Sequence, residues 1–435
     1  MREFDITLKK AFQVGLRPDQ TNPRNQEALV ECRNARVEDL GLGFYEDISQ
    51  TFTITLNWPY TQLKRFQKDF LLFDETTVYT LDTSDWSKTS VISGASSGLS
   101  WHGADFIDFV VLTNGNQRYL RDPSTGAYSL DSSLPEFKTC CECNGRLIAG
   151  NISNFHDCDS SFVAWSRIGD TTFEPDRRQE ANYSPAWSGE IYNVKKLGKG
   201  FIAYGARGIR AFQISGTQFE QIQIADFGIA SRDAVGGDEK QHVLMDDNGE
   251  LWSLTADLKL SRLGYKEFFS PMIGNDIVIS YNPNPGEFYI SDNNSSFLLY
   301  KGLTEIYQMV NSVVFYDGSK IGVISDSADD YFYLKTEILD FGIRGLKKIE
   351  AVELGIDTAE DLSIAVDYRY NTSSNWSTSS FKRVNRLGNG YVGVEANEFR
   401  LIVKAADKAD VNLDYINIRF KFPDKRMIRG TYNVG

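Results

Sequence analysis

The sequence predicts an all-β protein, with a β-propeller-like domain followed by a C-terminal antiparallel β-sandwich. Aromatic residues make up 13% of the 435-residue chain, which also contains 35 glycines. This composition suits pleated, half-buried strands joined by tight turns. Short period-two patterns recur along the chain, whereas helical periodicity is almost absent. A chain of this length can bury the cores of two or three domains without disulfides or a metal ion.

Residues 1–50 are predicted to form an N-terminal arm and the first strands. Pro18 and Pro23 interrupt regular pairing in this segment. The alternation in Leu29–Arg33 then predicts a strand, and Gly41 and Gly43 close the segment.

Residues 51–328 are predicted to form the propeller-like domain. Pairs such as Asn144-Gly145 and Asn248-Gly249 tolerate positive φ angles and favour tight hairpins between short strands. About six units of roughly 40 to 50 residues follow one another, which is the size of a propeller blade. No strict motif repeats within them, so a pair of β-sandwiches or an irregular β-helix is the alternative interpretation.

The stretch 331–356 marks the transition to the predicted sandwich, residues 329–421. In its first strand, successive side chains are expected to point alternately outward and inward, with Tyr331, Tyr333, Lys335 and Glu337 on the outward face. Residues 340–345 supply a bend, and the inward pattern resumes at Val352 and Leu354. Five further strand patterns complete an antiparallel sandwich of about 90 residues. The residues expected to point inward before the bend are Phe332, Leu334, Thr336 and Ile338.

Residues 422–435 form a basic tail on an acidic protein. Lys425, Arg426 and Arg429 stand here against Asp424, whereas the whole chain carries a formal net charge of −13. These three cations are the candidate interface residues, and a frayed, solvated terminus is the alternative interpretation.

Charge and composition exclude several function classes. A strongly acidic chain is poorly suited to hold nucleic acid through its phosphates, because that contact needs clustered Lys and Arg. The N-terminal residues lack the apolar core of a secretion signal, and no apolar run is long enough to span a membrane. Five cysteines without such a signal predict free thiols in a reducing cytoplasm.

The densest group of potential metal ligands consists of Cys140, Cys141, Cys143, His156 and Cys158. Thiolates and an imidazole suit Zn²⁺, but the spacing differs from that of ordinary structural zinc sites. On a strand, Cys140 would face away from the other two neighbouring cysteines. We therefore expect buried free thiols, and we predict no metal and no cofactor. The sequence alone does not decide whether this group binds metal.

No catalytic residue is predicted, and we expect the protein not to be an enzyme. His102, His156 and His242 do not stand beside an obvious nucleophile. The acidic run Asp246–Glu250 lacks the spacing of a twelve-residue calcium loop and is explained by a hairpin. Ser166–Phe173 is similar to the Asp-box turns of sialidase propellers, but it occurs once and its order is imperfect.

Seven segments, taken in order, resemble one protein family. Cys32–Leu42 is similar to an "N-x-R-V…G-L" opening, and Phe162–Phe173 to a hydrophobic-Trp-Ser-x-x-Gly-Asp segment. The others are Gly189–Tyr192, Gly200–Gly205, Gly208–Phe212, Glu398–Val403 and Ile416–Phe420. This succession resembles the packaged-DNA stabilisation, or tail hub (tail nozzle), proteins of short-tailed bacteriophages.

The resemblance implies a virion tail protein, made and assembled in the host bacterial cytoplasm. It implies a homo-oligomeric ring, a hexamer, that lies below the portal and its adaptor and extends the DNA channel. Such a ring helps to retain the packaged genome and anchors tail spikes, fibres or a needle. Encapsidated DNA would pass through without specific binding, no membrane insertion is implied, and the family has no active site to carry over.

Two other functions stay open at this point. A carbohydrate- or receptor-binding propeller (an adhesin) would place exposed aromatic side chains at loop tips, for instance Trp86, Trp101 or Trp376. A propeller glycosidase would need two carboxylates at a set separation. The 59 acidic residues do not single out such a pair.

Overall fold

The computed structural model describes residues 3–9, 11–18, 28–39, 41–45, 56–175, 180–325, 331–342, 345–356, 362–405 and 412–422. Within these residues the chain is almost entirely β-structure, which confirms the predicted fold class. Helix α1 (Ala11–Val14), helix α2 (Lys266–Phe269) and the 3-10 helix Ser270–Met272 are each a single turn. In these ranges there is no helix with the length and apolar character needed to cross a membrane.

The strands follow one another closely along the chain. From the N-terminus to the middle of the chain they are β1 (Glu3–Leu8), β2 (Leu29–Arg33), β3 (Ala35–Val37), β4 (Leu42–Phe44), β5 (Gln62–Arg65), β6 (Phe70–Phe73), β7 (Val78–Leu81), β8 (Lys88–Ile92), β9 (His102–Phe106), β10 (Phe109–Thr113), β11 (Arg118–Arg121), β12 (Tyr128–Leu130), β13 (Glu136–Cys143), β14 (Arg146–Ser153), β15 (Phe162–Trp165), β16 (Asn182–Pro185), β17 (Ile191–Leu197), β18 (Gly200–Gly205), β19 (Ile209–Ser215) and β20 (Gln218–Ala225). The remaining strands are β21 (Val235–Gly237), β22 (Gln241–Met245), β23 (Leu251–Thr255), β24 (Leu260–Gly264), β25 (Val278–Asn282), β26 (Glu287–Ser291), β27 (Ser296–Leu299), β28 (Leu303–Ile306), β29 (Met309–Tyr316), β30 (Ser319–Ser325), β31 (Tyr333–Thr336), β32 (Lys347–Ile356), β33 (Leu362–Arg369), β34 (Ser377–Thr378), β35 (Lys382–Arg383), β36 (Asn389–Ala396), β37 (Glu398–Ala405) and β38 (Leu413–Lys421).

The chain divides into two compact units. The propeller unit comprises Ile48–Asn294 and Met309–Ser325. The terminal unit comprises Met1–Asp47, Ser295–Gln308 and Asp326–Gly435, so it collects both ends of the chain and one internal segment.

The propeller unit contains a series of four-stranded antiparallel sheets, each built from consecutive strands. In the described residues these sheets are β5–β8, β9–β12, β13–β16, β17–β20 and β21–β24, and two hairpins follow, β25–β26 and β29–β30. The predicted turn at Asn144-Gly145 joins β13 to β14, with φ angles of 53° and 70°. Positive φ at both central positions matches the twist of a two-residue hairpin, as the sequence predicted.

The first strand of each sheet or hairpin lies innermost, and these strands surround one axis. Neighbouring inner strands are tied by side chains: the Val313 N–H donates to Ser280 Oγ at 2.9 Å, and the Leu63 N–H donates to Ser312 Oγ. The second contact joins β5 to β29 and so closes the ring. The spacing in the sequence predicted about six units, and the described residues contain seven inner strands. The number is seven because the hairpins β25–β26 and β29–β30 each supply one inner strand.

Apolar side chains fill the gaps between neighbouring sheets. Between the third and fourth sheets, Phe201 stacks on Phe212 with a centroid distance of 4.7 Å. Phe219 contacts Phe201 edge-on at 5.1 Å. A corresponding cluster packs β30 against the first sheet, so the ring is closed by packing as well as by hydrogen bonds. Its buried members are Leu63, Phe70, Leu72, Leu81, Ile321 and Val323.

In its described residues, the terminal unit contributes strands to two sheets. In one, the order is β3-β4-β38-β32-β36, with β1 also paired to β38. In the other, β27, β28, β2, β31, β37 and β33 follow one another, with β34 and β35 on β33. Phe341 stacks on Phe420 of the first sheet at 4.4 Å and lies 6.3 Å from Phe399 of the second, measured between ring centroids.

The terminal unit combines segments from both ends of the chain. Residues 1–50 were predicted to form an N-terminal arm and the first strands, and β1 pairs along its whole length with β38, from Glu3 opposite Lys421 to Leu8 opposite Ile416. Strand β2 likewise pairs with β31. Short-range patterns cannot reveal such pairings between chain ends. The sandwich of residues 329–421 stays a prediction.

Candidate functional site at the axis of the propeller

A cavity lies on the axis of the propeller unit. It has a volume of about 520 Å³ and is lined by residues from all seven inner strands. A second cavity of about 420 Å³ shares Lys64, Lys195 and Asp233 with the first. We call Gln62, Lys64, Ser100, His102, Thr139, Lys195, Arg232 and Asp233 the axial cluster.

Asp233, just before β21, is the centre of the axial cluster. Its carboxylate accepts hydrogen bonds from His102 Nε2 at 2.9 Å, from Gln62 Nε2 at 3.4 Å and from Ser100 Oγ. Burial alone would raise the pKa of this carboxyl group. The hydrogen bond from His102 and the charges of Lys64 and Arg232 outweigh burial and hold the pKa of Asp233 well below its usual range. Asp233 is therefore an anion at every physiological pH.

His102 is neutral and fixed in one tautomer. Burial, with the nearby charge of Arg232, lowers the pKa of His102 to about 3. Its Nε2–H donates to Asp233, so Nδ1 accepts the hydrogen bond that Thr139 Oγ1 donates at 2.8 Å. Thr139 Oγ1 also accepts the backbone N–H of Val194 at 3.2 Å. These contacts link β9, β13 and β17 to the segment that precedes β21.

The order Thr139–His102–Asp233 has the hydroxyl–imidazole–carboxylate arrangement of a catalytic triad. In a triad, the hydroxyl must reach a substrate. Thr139 is 0% exposed and His102 only 5%, and both ring nitrogens of His102 are engaged. The arrangement can therefore hold inner strands together, whereas Thr139 Oγ1 has no path to a bound molecule.

Three cations surround the single carboxylate of Asp233. Lys64 Nζ donates to the carbonyl oxygen of Trp101, and burial lowers the pKa of Lys64 to about 8. Arg232 donates to the carbonyl oxygens of Ser100, at 3.1 Å, and Lys138, and burial lowers its pKa to about 10. Burial also lowers the pKa of Lys195. Within the axial cluster, these three cations therefore outnumber the one carboxylate.

A second buried histidine lies near the axis. His242 lines the 420 Å³ cavity, and its Nδ1 lies 2.6 Å from the Tyr204 hydroxyl. When Nδ1 is unprotonated, the Tyr204 hydroxyl donates this hydrogen bond and Nδ1 accepts it. Burial, with Lys195 nearby, lowers the pKa of His242 to about 3. His242 is therefore neutral in the folded protein at neutral pH.

The potential metal ligands on strand β13 do not face one another, because its three cysteines pack into two different cores. Cys140 packs into the core between the second and third sheets, whereas Cys141 and Cys143 face the core between the third and fourth. Burial raises the pKa of Cys140 and of Cys143 to about 12, so both are thiols. In the ranges that the structure describes, no three His, Cys, Asp or Glu side chains are grouped to hold a metal ion.

The acidic run Asp246–Glu250 is the hairpin between β22 and β23, as predicted. Asp246 Oδ1 accepts the backbone N–H groups of Asn248, at 2.9 Å, and Glu250, at 2.8 Å. Its Oδ2 accepts Trp252 Nε1–H at 3.0 Å, so this carboxylate serves the turn.

The tryptophans suggested as exposed binding residues are packed instead. Trp101 is 0% exposed and its Nε1–H donates to the carbonyl oxygen of Asp74 at 2.8 Å. Trp86 contacts Phe70 edge-on, and the ring of Trp376 lies 4.5 Å and 4.6 Å from the guanidinium groups of Arg369 and Arg400. The tail candidates Lys425, Arg426 and Arg429 lie outside the described residues.

A scan against protein-family models found no match, and neither did a search of curated proteins. Similar solved structures include Hsv2 from Kluyveromyces lactis, 12% identical, covering 61% of this chain and 84% of that chain with a TM-score of 0.35. Hsv2 with complete loop 6CD covers 61% and 85% with a TM-score of 0.35, and Hsv2 with loop 6CD replaced by a Gly-Ser linker covers 61% and 83% with a TM-score of 0.33; both are 12% identical to this chain. Hsv2 is a β-propeller.

Proposed function

We propose that this chain is a structural protein of a short-tailed bacteriophage tail, where copies form a ring below the portal and its adaptor. The observation that carries the proposal is the ordered succession of seven segments that resemble tail hub proteins. Those segments reach from Cys32–Leu42 to Ile416–Phe420 and so cover both units of the chain. The ring would extend the DNA channel, help to retain the genome and anchor spikes or fibres.

The internal organisation of the propeller unit supports a mechanical role. The polar groups at its axis bind one another, and packed apolar clusters join successive sheets. A closed ring of sheets leaves only short strand edges exposed. Such a unit can transmit load between neighbours without changing shape.

An exposed sheet edge in the terminal unit supports assembly from identical copies. Strand β36 ends its sheet in the described part of the chain. Tyr391 on β36 is 68% exposed, and Leu387 in the preceding turn is 80% exposed. A strand edge with large exposed apolar side chains favours pairing with another chain. We propose that this edge contacts the adjacent copy.

The net charge supports passage of DNA without adhesion. A chain with a formal net charge of −13 repels phosphates over most of its surface. The ring lumen can therefore let duplex DNA slide during ejection.

We expect the purified full-length chain to form an oligomer whose mass is six times the 49.1 kDa of one chain. Replacing Leu387 with Glu places a charge on the proposed contact and is expected to shift the protein towards the monomer. Light scattering after size exclusion gives the mass. The matched control is Leu130→Glu, which changes a 58% exposed leucine on β12 of the propeller unit and should leave the oligomer intact.

A monomeric wild-type chain at the highest concentration reached would contradict assembly from identical copies alone. Unchanged assembly of Leu387→Glu would remove the β36 edge from the interface.

One observation favours a second candidate, a receptor- or glycan-binding propeller. Trp187, in the loop between β16 and β17, is 71% exposed. A large amphipathic ring at a loop is suited to stacking on a sugar. Saturable glycan binding that is lost in Trp187→Ala would support this candidate.

A further inference from the structure

We propose that the axial cavity binds a phosphate group, either inorganic phosphate or a phosphate monoester, between the ammonium groups of Lys195 and Lys64. This inference does not depend on ring assembly, because every residue involved belongs to the propeller unit.

The first reason is that Lys195 has no partner of its own. In the described part of the chain, its ammonium group makes no hydrogen bond and no ion pair, although it lines both axial cavities. Lys64 lines them too and spends one of its three donors on the Trp101 carbonyl oxygen. A half-buried ammonium group whose three donors are not used within the chain can donate them to an anion that enters the cavity.

The second reason is that the nearby carboxylates are engaged elsewhere. Asp233 is held by the axial cluster. Glu142 pairs with Lys196 at 3.3 Å and accepts the Gly145 N–H at 2.8 Å. Asp105 accepts the backbone N–H of Gln67 through both of its oxygens, at 3.2 and 3.1 Å. Two more carboxylates line the second cavity: Asp238 accepts the backbone N–H groups of Lys240 and Gln241, at 2.8 and 3.2 Å, and Glu239 lies 3.5 Å from Lys196. In the described residues none of these five carboxylates is hydrogen-bonded or ion-paired to Lys195, so its donors can serve a ligand.

The third reason is the shape of the site. Gly103, Gly236 and Gly237 line the 520 Å³ cavity, so the backbone rather than side chains forms part of its wall. A tetrahedral oxyanion offers several acceptors to two ammonium groups on different strands, and lysine serves as a point-charge partner of phosphate. The volume exceeds that of the phosphate ion and leaves room for the organic part of a monoester.

The test is a titration of the full-length chain with inorganic phosphate at neutral pH and low salt, followed by calorimetry. We expect saturable binding to one site per chain. Lys195→Gln should weaken binding by about 10-fold or more, since a hydrogen bond to a charged group contributes that much or more. Lys195→Arg keeps the charge and should retain most of the affinity.

The matched control is Lys199→Gln, which removes the same charge from the exposed turn after β17, outside the cavity. It should bind phosphate like the wild type. Equal affinities of Lys195→Gln and Lys199→Gln would overturn the proposal, as would a wild-type chain without saturable binding.

Two further arms complete the design. Competition by adenosine monophosphate would assign the site to monoesters, whereas binding of inorganic phosphate alone would assign it to the free ion. Binding of acetate as tight as that of phosphate would overturn the proposal that the site is selective for phosphate. If Lys195→Gln does not fold, acylation of wild-type lysines can be followed by mass spectrometry. Phosphate should then slow the labelling of Lys195 but not of Lys199, and equal protection of both would contradict the site.

Discussion

Replacing Asp233 with alanine is expected to lower the free energy of unfolding of the propeller unit by about 3–5 kcal/mol, the usual result of removing one partner from a buried ion pair. The change leaves the buried charges of Lys64 and Arg232 without their common anion. It also removes the acceptor of His102 Nε2–H and of Ser100 Oγ–H. Urea unfolding followed by tryptophan fluorescence measures the effect, because six of the seven tryptophans lie in the propeller unit.

The control for this variant is Asp108→Asn. Asp108 also pairs with a lysine, Lys68 at 3.3 Å, but its side chain is 64% exposed. An exposed pair contributes about 0–1 kcal/mol. If Asp233→Ala were no less stable than Asp108→Asn, the axial cluster would not hold the inner strands together.

Acid is expected to destabilise the propeller unit well before its carboxylates titrate. The pKa values of His102 and His242 are lowered by burial to about 3 in the folded chain, from an ordinary value of 6.5. Below pH 6.5 the unfolded chain takes up two protons that the folded chain does not. Stability is therefore highest above pH 6.5 and falls as the pH drops towards 3.

The size of this effect follows from the number of protons. Each proton contributes about 1.4 kcal/mol per pH unit, so the free energy of unfolding should fall by about 2–3 kcal/mol between pH 6 and pH 5. Urea unfolding at a series of pH values gives this slope. In His242→Gln the slope should be about half as steep. A stability that is flat between pH 7 and pH 5 would show that neither histidine is buried in neutral form.

Much of the propeller fold could be predicted from local patterns. The turn pairs and the period-two strands depend on residues close in sequence, and those hairpins form as predicted. One further signal was available. The first strand of a repeat is more polar than the second, as in Gln62–Arg65 against Phe70–Phe73, or Ile191–Leu197 against Gly200–Gly205. The first strand lines the axis, whereas the second is covered on both faces.

The centre of the candidate site could not be found this way. Asp233 lies in a link between strands, where periodicity carries no information, and it meets His102 from 131 positions away in the chain. In the sequence, nothing distinguishes Asp233 from the other acidic residues, of which the chain has 59 in total.

The transition stretch shows the same limit within a single strand. Phe332, Leu334 and Thr336 are buried as predicted. Glu337, expected on the outward face, is instead only 2% exposed, because Arg17 lies 2.6 Å away and neutralises it. Alternation identifies the inward face, but a distant cation can allow an acidic residue to be buried as well.

The most direct test of the proposed function is immunogold electron microscopy of phage particles from the source of this sequence, with an antibody raised against the chain. We expect label at the single tail vertex, on the short stub just below the capsid. Label confined to fibre tips would favour the receptor-binding propeller. Purified particles that carry no label would contradict the proposal that this protein is part of the tail.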